Sequence, residues 1–261
     1  MSGQWSDLAP RIGSAVVMVA AGFAAIWFGG LAFNAFVGLI CGAMIWELSR
    51  MLDPDGPGNA LHTGIMTGIV IIASAYVAPS FVLPLLVTPV IFGALRMPGR
   101  RVLFLVFACM IVLAGFSLIS VRDNLGFFWI LWLICVVIAT DVAGYFAGKM
   151  IGGPKLWPRV SPKKTWSGTV AGWVGAAVVG LVFAPYIGIG MGLLVASVAM
   201  SMVSQGGDIA ESALKRHAGV KDSSALIPGH GGVMDRFDGM LGAAVFVLVA
   251  SVVFGFPPGV P

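Results

Sequence analysis

The chain has 261 residues, of which 59% are hydrophobic and 10% are charged, and its formal net charge is +4. This composition excludes an ordinary soluble domain and predicts a polytopic membrane protein. Uncharged stretches of span length recur, and a spanning helix needs about 20 mostly apolar residues. Lys and Arg gathered on one membrane face explain the positive charge better than nucleic-acid binding does.

In chain order, the apolar stretches predict an all-α fold with about nine transmembrane helices. No charged residue occurs between Ile12 and Trp46, which is too long for one span, so we expect two helices with a turn at Gly29-Gly30. A polar loop is predicted from Glu47 to His62. Further spans are predicted at about 64–78, 80–95, 102–121, 124–148, 169–187, 189–207 and 239–256. The expected turns include Pro79-Ser80 and Arg122-Asp123.

The basic residues are distributed unevenly between the two ends of these predicted spans. If each pair of spans forms a hairpin, five basic or charged segments fall on one side: Arg11, Arg50, the Arg96–Arg101 loop, the Lys149–Gly168 loop and the Asp208–Asp238 stretch. The opposite turns carry a single base, Arg122. An excess of Lys and Arg marks the cytoplasmic face. We therefore predict a cytoplasmic N-terminus, an external C-terminus and a polar site facing the cytoplasm, in a bacterial inner (plasma) membrane.

Charge is densest between Asp208 and Asp238, where nine acids and bases fall within a largely apolar chain. Asp208, Glu211, Ser212 and Lys215 follow the spacing of one helix face. Pro228 is expected to end that helix, and the glycines around His230 permit close backbone approach to a ligand. Acids suit a hard metal ion and bases suit phosphate, so the stretch predicts a site for a metal-bound phosphate compound. A solvated surface loop is the alternative, and it explains the bases but not the acids among them.

The basic loop carries a second polar group, with Lys155, Arg159 and the adjacent Lys163 and Lys164. These residues suit an anionic head group or a polyphosphate, although ordinary anchoring at the cytoplasmic face is an alternative. Asp141, near the end of a span, is a functional candidate by its position. It is alternatively an interfacial charge or a partner for a nearby base.

The run from Ser212 to Asp238 resembles the signature of the phosphatidate cytidylyltransferases, also called CDP-diacylglycerol synthases. The matching positions are Ser212, Lys215, Arg216, Lys221, Asp222, His230, Gly231, Gly232, Asp235, Arg236 and Asp238. The segments G-D-I-A-E-S, S-P-K-K-T-W-S-G and D-V-A-G-Y-F-A-G-K also resemble family segments. Ser167 departs from the pattern, because many members carry Glu there. The matching motifs suggest a C-terminal catalytic region at 138–261, preceded by N-terminal transmembrane helices at 1–137, within a single membrane domain.

The resemblance implies transfer of the cytidylyl group of CTP to phosphatidate, giving CDP-diacylglycerol and pyrophosphate in phospholipid biosynthesis. It implies a Mg²⁺ cofactor held by Asp208, Asp235 and Asp238, and a catalytic set of Asp208, Asp235, Lys215 and Arg236. The implied substrate-binding residues are Asp141, Lys163, Lys164, Ser212, Arg216, Lys221, Asp222, His230, Gly231 and Gly232. His230 is expected to position substrate, since the phosphate of phosphatidate is already ionised and needs no strong base. The expected partners are CTP, a phosphatidate lipid, the bilayer and a second copy in a homodimer, with no nucleic acid.

Two other functions fit parts of the pattern. A CTP-dependent polyprenol or lipid kinase would share the nucleotide and the metal but would release CDP instead of pyrophosphate. A cation transporter would use the acids as an ion pathway, and would carry charges scattered through several spans.

Overall fold

The computed structural model describes residues 8–54, 57–97 and 99–258. These residues are almost entirely helical, in agreement with the predicted all-α class. The helices are α1 Leu8–Phe28, α2 Gly30–Leu52, α3 Pro57–Ser74, α4 Pro79–Leu95, α5 Arg101–Ser120, α6 Phe127–Met150, α7 Trp166–Ile187, α8 Met191–Ala218 and α9 Met234–Phe254. A π-helical turn, Val121–Leu125, follows α5, and a short antiparallel hairpin of β1 (Lys155–Trp157) and β2 (Ser161–Thr165) lies between α6 and α7.

The lengths of the helices indicate an integral membrane protein. Among the described residues, six helices are long and apolar enough to cross a bilayer, namely α2, α5 with its π-helical turn, α6, α7, α8 and α9. Shorter apolar helices occupy Ile12–Phe28, Asn59–Ser74 and Pro79–Leu95. Each of these segments lies where the sequence predicts a span.

The structure corrects the predicted loop from Glu47 to His62. The turn at Gly29-Gly30 is confirmed, since α1 ends at Phe28 and Gly29 has a φ of 62°. Helix α2, however, continues to Leu52, so Glu47 lies within a helix and is fully buried. The predicted loop failed because a charged residue was taken as the end of the span. Asp55, also assigned to that loop, lies outside the described residues.

Other predicted boundaries differ for local reasons. Arg122 and Asp123 lie in the π-helical turn, and the helical segments are interrupted at Gly126, whose φ of 91° suits glycine. Helix α8 ends at Ala218, before Gly219 with a φ of 75°, so Pro228 does not terminate it. The predicted basic loop contains the end of α6, the β-hairpin and the start of α7.

The chain divides into two compact units. The first comprises Met1–Ile119 with His217–Phe237, and the second comprises Ser120–Arg216 with Asp238–Pro261. This division reflects which residues pack against one another in space. The predicted boundary after residue 137 was drawn from motif coverage, and it stays a prediction.

In the first unit, glycines bring α2 and α3 together. A Cβ added to Gly42 would lie 2.8 Å from the carbonyl oxygen of Gly64, and one added to Gly38 would lie 2.8 Å from that of Gly68. Small residues of this kind let helix backbones approach closely in a membrane. The three cysteines are free, with Cys41 buried, Cys135 half-buried and Cys109 exposed.

In the second unit, α6 packs against α7 and α8 through glycines and hydroxyl groups. A Cβ on Gly168 would lie 2.5 Å from the carbonyl oxygen of Gly144, which explains the close approach of α7 to α6. Thr140 of α6 hydrogen-bonds to Ser201 of α8 at 2.8 Å, and both side chains are buried. These contacts fix the part of α6 that carries Asp141.

Candidate active site

An ion pair between the hairpin and α8 is the centre of the charged region in the second unit. The Nζ atom of Lys164 lies 2.5 Å from Oδ2 of Asp208, and both side chains are partly exposed. Lys164 is held in place by its strand, because the next residue, Thr165, caps α7 by accepting a hydrogen bond from the Gly168 N–H. This ion pair joins the basic loop to the charged stretch, two segments that the sequence predicts on the same side of the membrane.

A cavity of about 510 Å³ opens beside this ion pair. Its walls come from α6, the hairpin, the start of α7 and α8. Its charged lining residues are Asp141, Lys149, Lys155, Lys163, Lys164 and Asp208. Lysines outnumber acids in this lining, so the cavity is suited to a polyanionic ligand such as a polyphosphate.

Three carboxylates, those of Asp141, Asp208 and Asp238, lie within electrostatic range of one another in this unit. Helices α8 and α9 cross closely there, because a Cβ on Gly207 would lie 2.6 Å from the carbonyl oxygen of Asp238. Ser212 donates a hydrogen bond to Oδ1 of Asp208 at 3.3 Å, which confirms the predicted helix face. Oδ1 of Asp238 accepts a bond from the Gly239 N–H at 2.7 Å.

Lys215 lies 2.5 Å from Glu211, which is buried, so this pair joins two residues of the same helix. Asp141, Asp208 and Asp238 bring carboxylate oxygens near one another. Oxygen ligands of this kind fit a divalent cation such as Mg²⁺, which needs few protein carboxylates and keeps several waters. Within the described residues no cluster of three or more His, Cys, Asp or Glu forms a metal cage.

The remaining signature residues lie in the first unit, where α8 and α9 are joined by residues 219–233, here called the signature loop. Asp235, a predicted metal ligand, uses Oδ2 to organise this loop. It accepts hydrogen bonds from the Ser223 N–H at 2.8 Å, the Ser223 hydroxyl at 2.9 Å and the Gly232 N–H at 2.8 Å. One oxygen of Asp235 thus joins the start of the loop to its end.

The glycines beside His230 have close neighbours within the protein. Gly231 has a φ of +84°, and a Cβ there would lie 2.9 Å from Oδ2 of Asp235. A Cβ on Gly232 would lie 1.9 Å from the Ser223 hydroxyl and 2.6 Å from Oε1 of Glu47. The sequence predicted that these glycines permit close approach to a ligand, and in the structure their near neighbours include polar side chains of the protein itself, Ser223, Asp235 and Glu47.

His230 is held by contacts on its ring and on its backbone. The Ser14 hydroxyl lies 2.8 Å from Nδ1 of His230 and donates to the Pro228 carbonyl at 3.1 Å. The guanidinium group of Arg236 donates to the His230 carbonyl. These contacts hold the ring and the backbone of His230, and its role toward substrate stays a prediction.

Glu47 is the residue that sequence reasoning missed. Its buried carboxylate accepts hydrogen bonds from Ser223, Ser224, Val233 and Met234, which lie at both ends of the signature loop. A signal was present in the sequence, because a lone acid at the end of a long apolar stretch is expensive unless it has partners. Those partners are distant in the chain and could not be identified from spacing.

The predicted site residues therefore fall into two groups, one in each unit. The second unit holds Asp141, Lys163, Lys164, Asp208, Ser212, Lys215, Arg216 and Asp238. The first unit holds Lys221, Asp222, His230, Gly231, Gly232, Asp235 and Arg236. Ser167, the departure from the family pattern, donates to the Gly152 carbonyl and lies 3.0 Å from the Thr165 hydroxyl, so it braces the hairpin.

The apolar helices indicate a membrane protein, and the lysine-lined cavity beside acids is suited to a phosphate compound. Comparison with known proteins gives the family. The chain matches the model of the cytidylyltransferase family over residues 9–254, so it belongs to that family and is a nucleotidyltransferase.

Relatives of the chain carry the name phosphatidate cytidylyltransferase. The protein from Brucella suis biovar 1 is 36% identical to this chain, over 97% of this chain and 96% of its own length. The proteins from Bacillus subtilis and Haemophilus influenzae are each 41% identical over shorter regions. These regions cover 51% and 46% of this chain, and 50% and 44% of the relatives.

Proposed function

We propose that this enzyme transfers the cytidylyl group of CTP to phosphatidate, forming CDP-diacylglycerol and pyrophosphate in phospholipid biosynthesis. The observation that carries the proposal is the Lys164–Asp208 ion pair in the lining of a lysine-rich cavity, in a chain of the cytidylyltransferase family. Lys164 can bind a phosphate oxygen of a nucleotide, and the adjacent Asp208 can bind the metal ion that accompanies the nucleotide. The names of the relatives agree with this substrate pair.

The reaction brings two anions together. A phosphate oxygen of phosphatidate attacks the α-phosphorus of CTP, and the bond from that phosphorus to the β-bridging oxygen breaks. Pyrophosphate leaves with the bonding electron pair. The barrier falls when positive charge is fixed around the phosphates before the reaction begins, because charge develops there in the transition state.

The second unit supplies groups for this task. Lys163 and Lys164 project from β2 beside the cavity and would hold phosphate oxygens. Asp208 and Asp238 would hold Mg²⁺, with Asp141 close by. The bound metal would neutralise and align the α-phosphate. The ion pair between Lys164 and Asp208 keeps both groups placed before substrate arrives.

Further contacts with substrate are proposed for signature residues of both units. Ser212, Lys215 and Arg216 lie on the last turns of α8. In the first unit, Asp235 is proposed to contribute to the metal site, and Arg236 to bind phosphate. The proposed substrate-binding residues of the signature loop are Lys221, Asp222, His230, Gly231 and Gly232. Their roles rest on the family signature.

The products distinguish this proposal from its rivals. Purified protein would be given phosphatidate with each of CTP, ATP, GTP and UTP, and both nucleotide products and lipid products would be measured. We expect pyrophosphate and CDP-diacylglycerol with CTP. Release of CDP with a newly phosphorylated lipid would instead indicate the kinase. Cation flux into vesicles that hold the protein, without either product, would instead indicate a transporter.

We also propose nine spans, with the N-terminus inside, the C-terminus outside and the site facing the cytoplasm of a bacterial inner membrane. The support is the one-sided distribution of Lys and Arg together with the positions of the apolar helices. A homodimer is part of the same proposal, and the mass of the purified protein in detergent tests it.

A further inference from the structure

We propose that Glu47 is a positioning residue of the enzyme, which fixes the signature loop from the distant helix α2. Its importance for catalysis rests on the function proposed above, whereas its effect on the loop does not. The carboxylate is fully buried, so it has no access to substrate and acts through the loop that it binds.

The two oxygens of Glu47 face donors from both ends of the loop. Oε1 accepts from the Ser224 hydroxyl at 2.6 Å and from the Val233 N–H at 2.8 Å. Oε2 accepts from the Met234 N–H at 2.7 Å and lies 3.2 Å from the Ser223 hydroxyl, whose single hydrogen Glu47 shares with Asp235. A single side chain therefore connects residues 223–224 to residues 233–234.

The chemistry of these donors suits a carboxylate better than an amide. Backbone N–H groups cannot accept a hydrogen bond, and those of Val233 and Met234 belong to the start of α9, where the helix dipole favours negative charge. A buried carboxylate without such partners would be strongly destabilising. A glutamine in its place has one amide N–H₂ group, which would face a backbone N–H group instead of accepting from it. Glu47→Gln therefore loses at least one hydrogen bond that the glutamate makes.

A second observation shows that the loop is built around this carboxylate. Gly232 leaves no room for a side chain, because a Cβ there would lie 2.6 Å from Oε1 of Glu47. The Ser223 hydroxyl is within hydrogen-bond distance of both Glu47 and Asp235. Two carboxylates, one from α2 and one from α9, thus hold the loop that carries His230.

Hydrogen–deuterium exchange of the purified protein in detergent tests the contact without an activity assay. In Glu47→Gln, we expect the amides of Val233 and Met234 to exchange at least about 10-fold faster, because they lose a charged acceptor. The amides of α5 in the same unit should be unchanged. Asp53→Asn is the matched control, since it makes the same chemical change near the end of α2 and should leave the loop protected.

Kinetics then test whether the fixed loop matters. We expect Glu47→Gln to lower kcat by about 10-fold or more with a smaller change in KM for CTP, as for a misaligned but bound substrate. Ser224→Ala should have a smaller effect in the same direction. Because both changes act on one contact, Ser224→Ala should add little in the Glu47→Gln background.

The outcomes separate the two proposals. Exchange that stays at the wild-type rate in Glu47→Gln, or that rises equally throughout the first unit, would overturn the positioning role. Should Glu47→Gln fail to fold, Ser224→Ala decides, because it removes one of the donors on Oε1 of Glu47 and should speed exchange at Val233, which shares that oxygen. Faster exchange at Leu226 alone, whose N–H bonds directly to Ser224, would overturn the positioning role. A wild-type protein that makes no CDP-diacylglycerol would refute the proposed function but would leave the exchange result intact.

Discussion

Asp208 is the residue on which the second-unit site converges. It receives Lys164 from the hairpin on one oxygen and Ser212 from its own helix on the other. Asp141 and Asp238 add negative charge nearby. An acid in these surroundings is stabilised by cations, whether they come from Lys164 or from a metal ion that arrives with substrate.

Replacing either proposed metal ligand in this unit should therefore impair catalysis. Asp208→Asn and Asp238→Asn keep the size of the side chain but lower its charge, and each should reduce turnover by about 10²-fold or more. The measurement is pyrophosphate release with Mg²⁺ titrated for each variant. Asp123→Asn, in the π-helical turn after α5, is the control and should be nearly silent. Wild-type rates and wild-type Mg²⁺ dependence in both variants would contradict the metal assignment.

Single residues also show where sequence reasoning reaches its limit. The spacing of Asp208, Glu211, Ser212 and Lys215 predicted a helix face, because those contacts are local. The sequence placed Glu47 in a loop. Its partners could not be identified from spacing, because they lie 176 to 187 residues further along the chain. The pattern of apolar and polar residues within α2 cannot predict contacts with residues that only the tertiary fold brings close.

At the scale of elements, the crossing of α8 and α9 depends on glycines. Gly207 and Gly242 let the two backbones meet, and a Cβ on Gly242 would lie 2.4 Å from the Val203 carbonyl oxygen. This crossing sets the separation of the elements that carry Asp208 and Asp238. The acids are therefore placed by helix packing as well as by their own hydrogen bonds.

Gly207→Ala tests this crossing against a neighbouring glycine. The added methyl group would meet backbone, which cannot move as a flexible side chain can, so we expect a lower unfolding temperature and at least about 10-fold less activity. Gly206→Ala is the matched control, because a Cβ there meets nothing within 4 Å. Alanine in a helix interior is more favourable than glycine by about 0.5–1 kcal/mol, so this control should be neutral or stabilising. Equal behaviour of the two variants would show that the crossing does not constrain the site.

The elements themselves were only partly predictable. The apolar stretches and the turn at Gly29-Gly30 predicted helices α1 and α2, since burial and glycine conformation act locally. The hairpin from Lys155 to Thr165 was missed. Its residues show no alternation of apolar and polar side chains, and part of its support comes from outside the strands, where the Ser167 hydroxyl bonds to the Gly152 carbonyl.

At the scale of the whole molecule, the family membership and the charge distribution lead to one proposed topology. Single cysteines at Arg159 and Leu226, in a background with Cys41, Cys109 and Cys135 changed to Ala, should react with a membrane-impermeant thiol reagent from the cytoplasmic side. Asn124→Cys should react from the other side. Both Leu226 and Asn124 are exposed, so access within the protein does not limit the comparison. Reaction of the Arg159 and Leu226 positions from opposite sides would refute the proposed cytoplasmic site.

The most direct test of the central claim follows the phosphorus atoms of CTP. The wild-type protein, purified with lipid, would be given phosphatidate and CTP labelled at either the α- or the γ-phosphorus. Cytidylyl transfer predicts that the α-label enters the lipid fraction as CDP-diacylglycerol and that the γ-label leaves as pyrophosphate, in equal amounts. A γ-label found in the lipid, with the α-label left in CDP, would contradict cytidylyl transfer and identify a kinase.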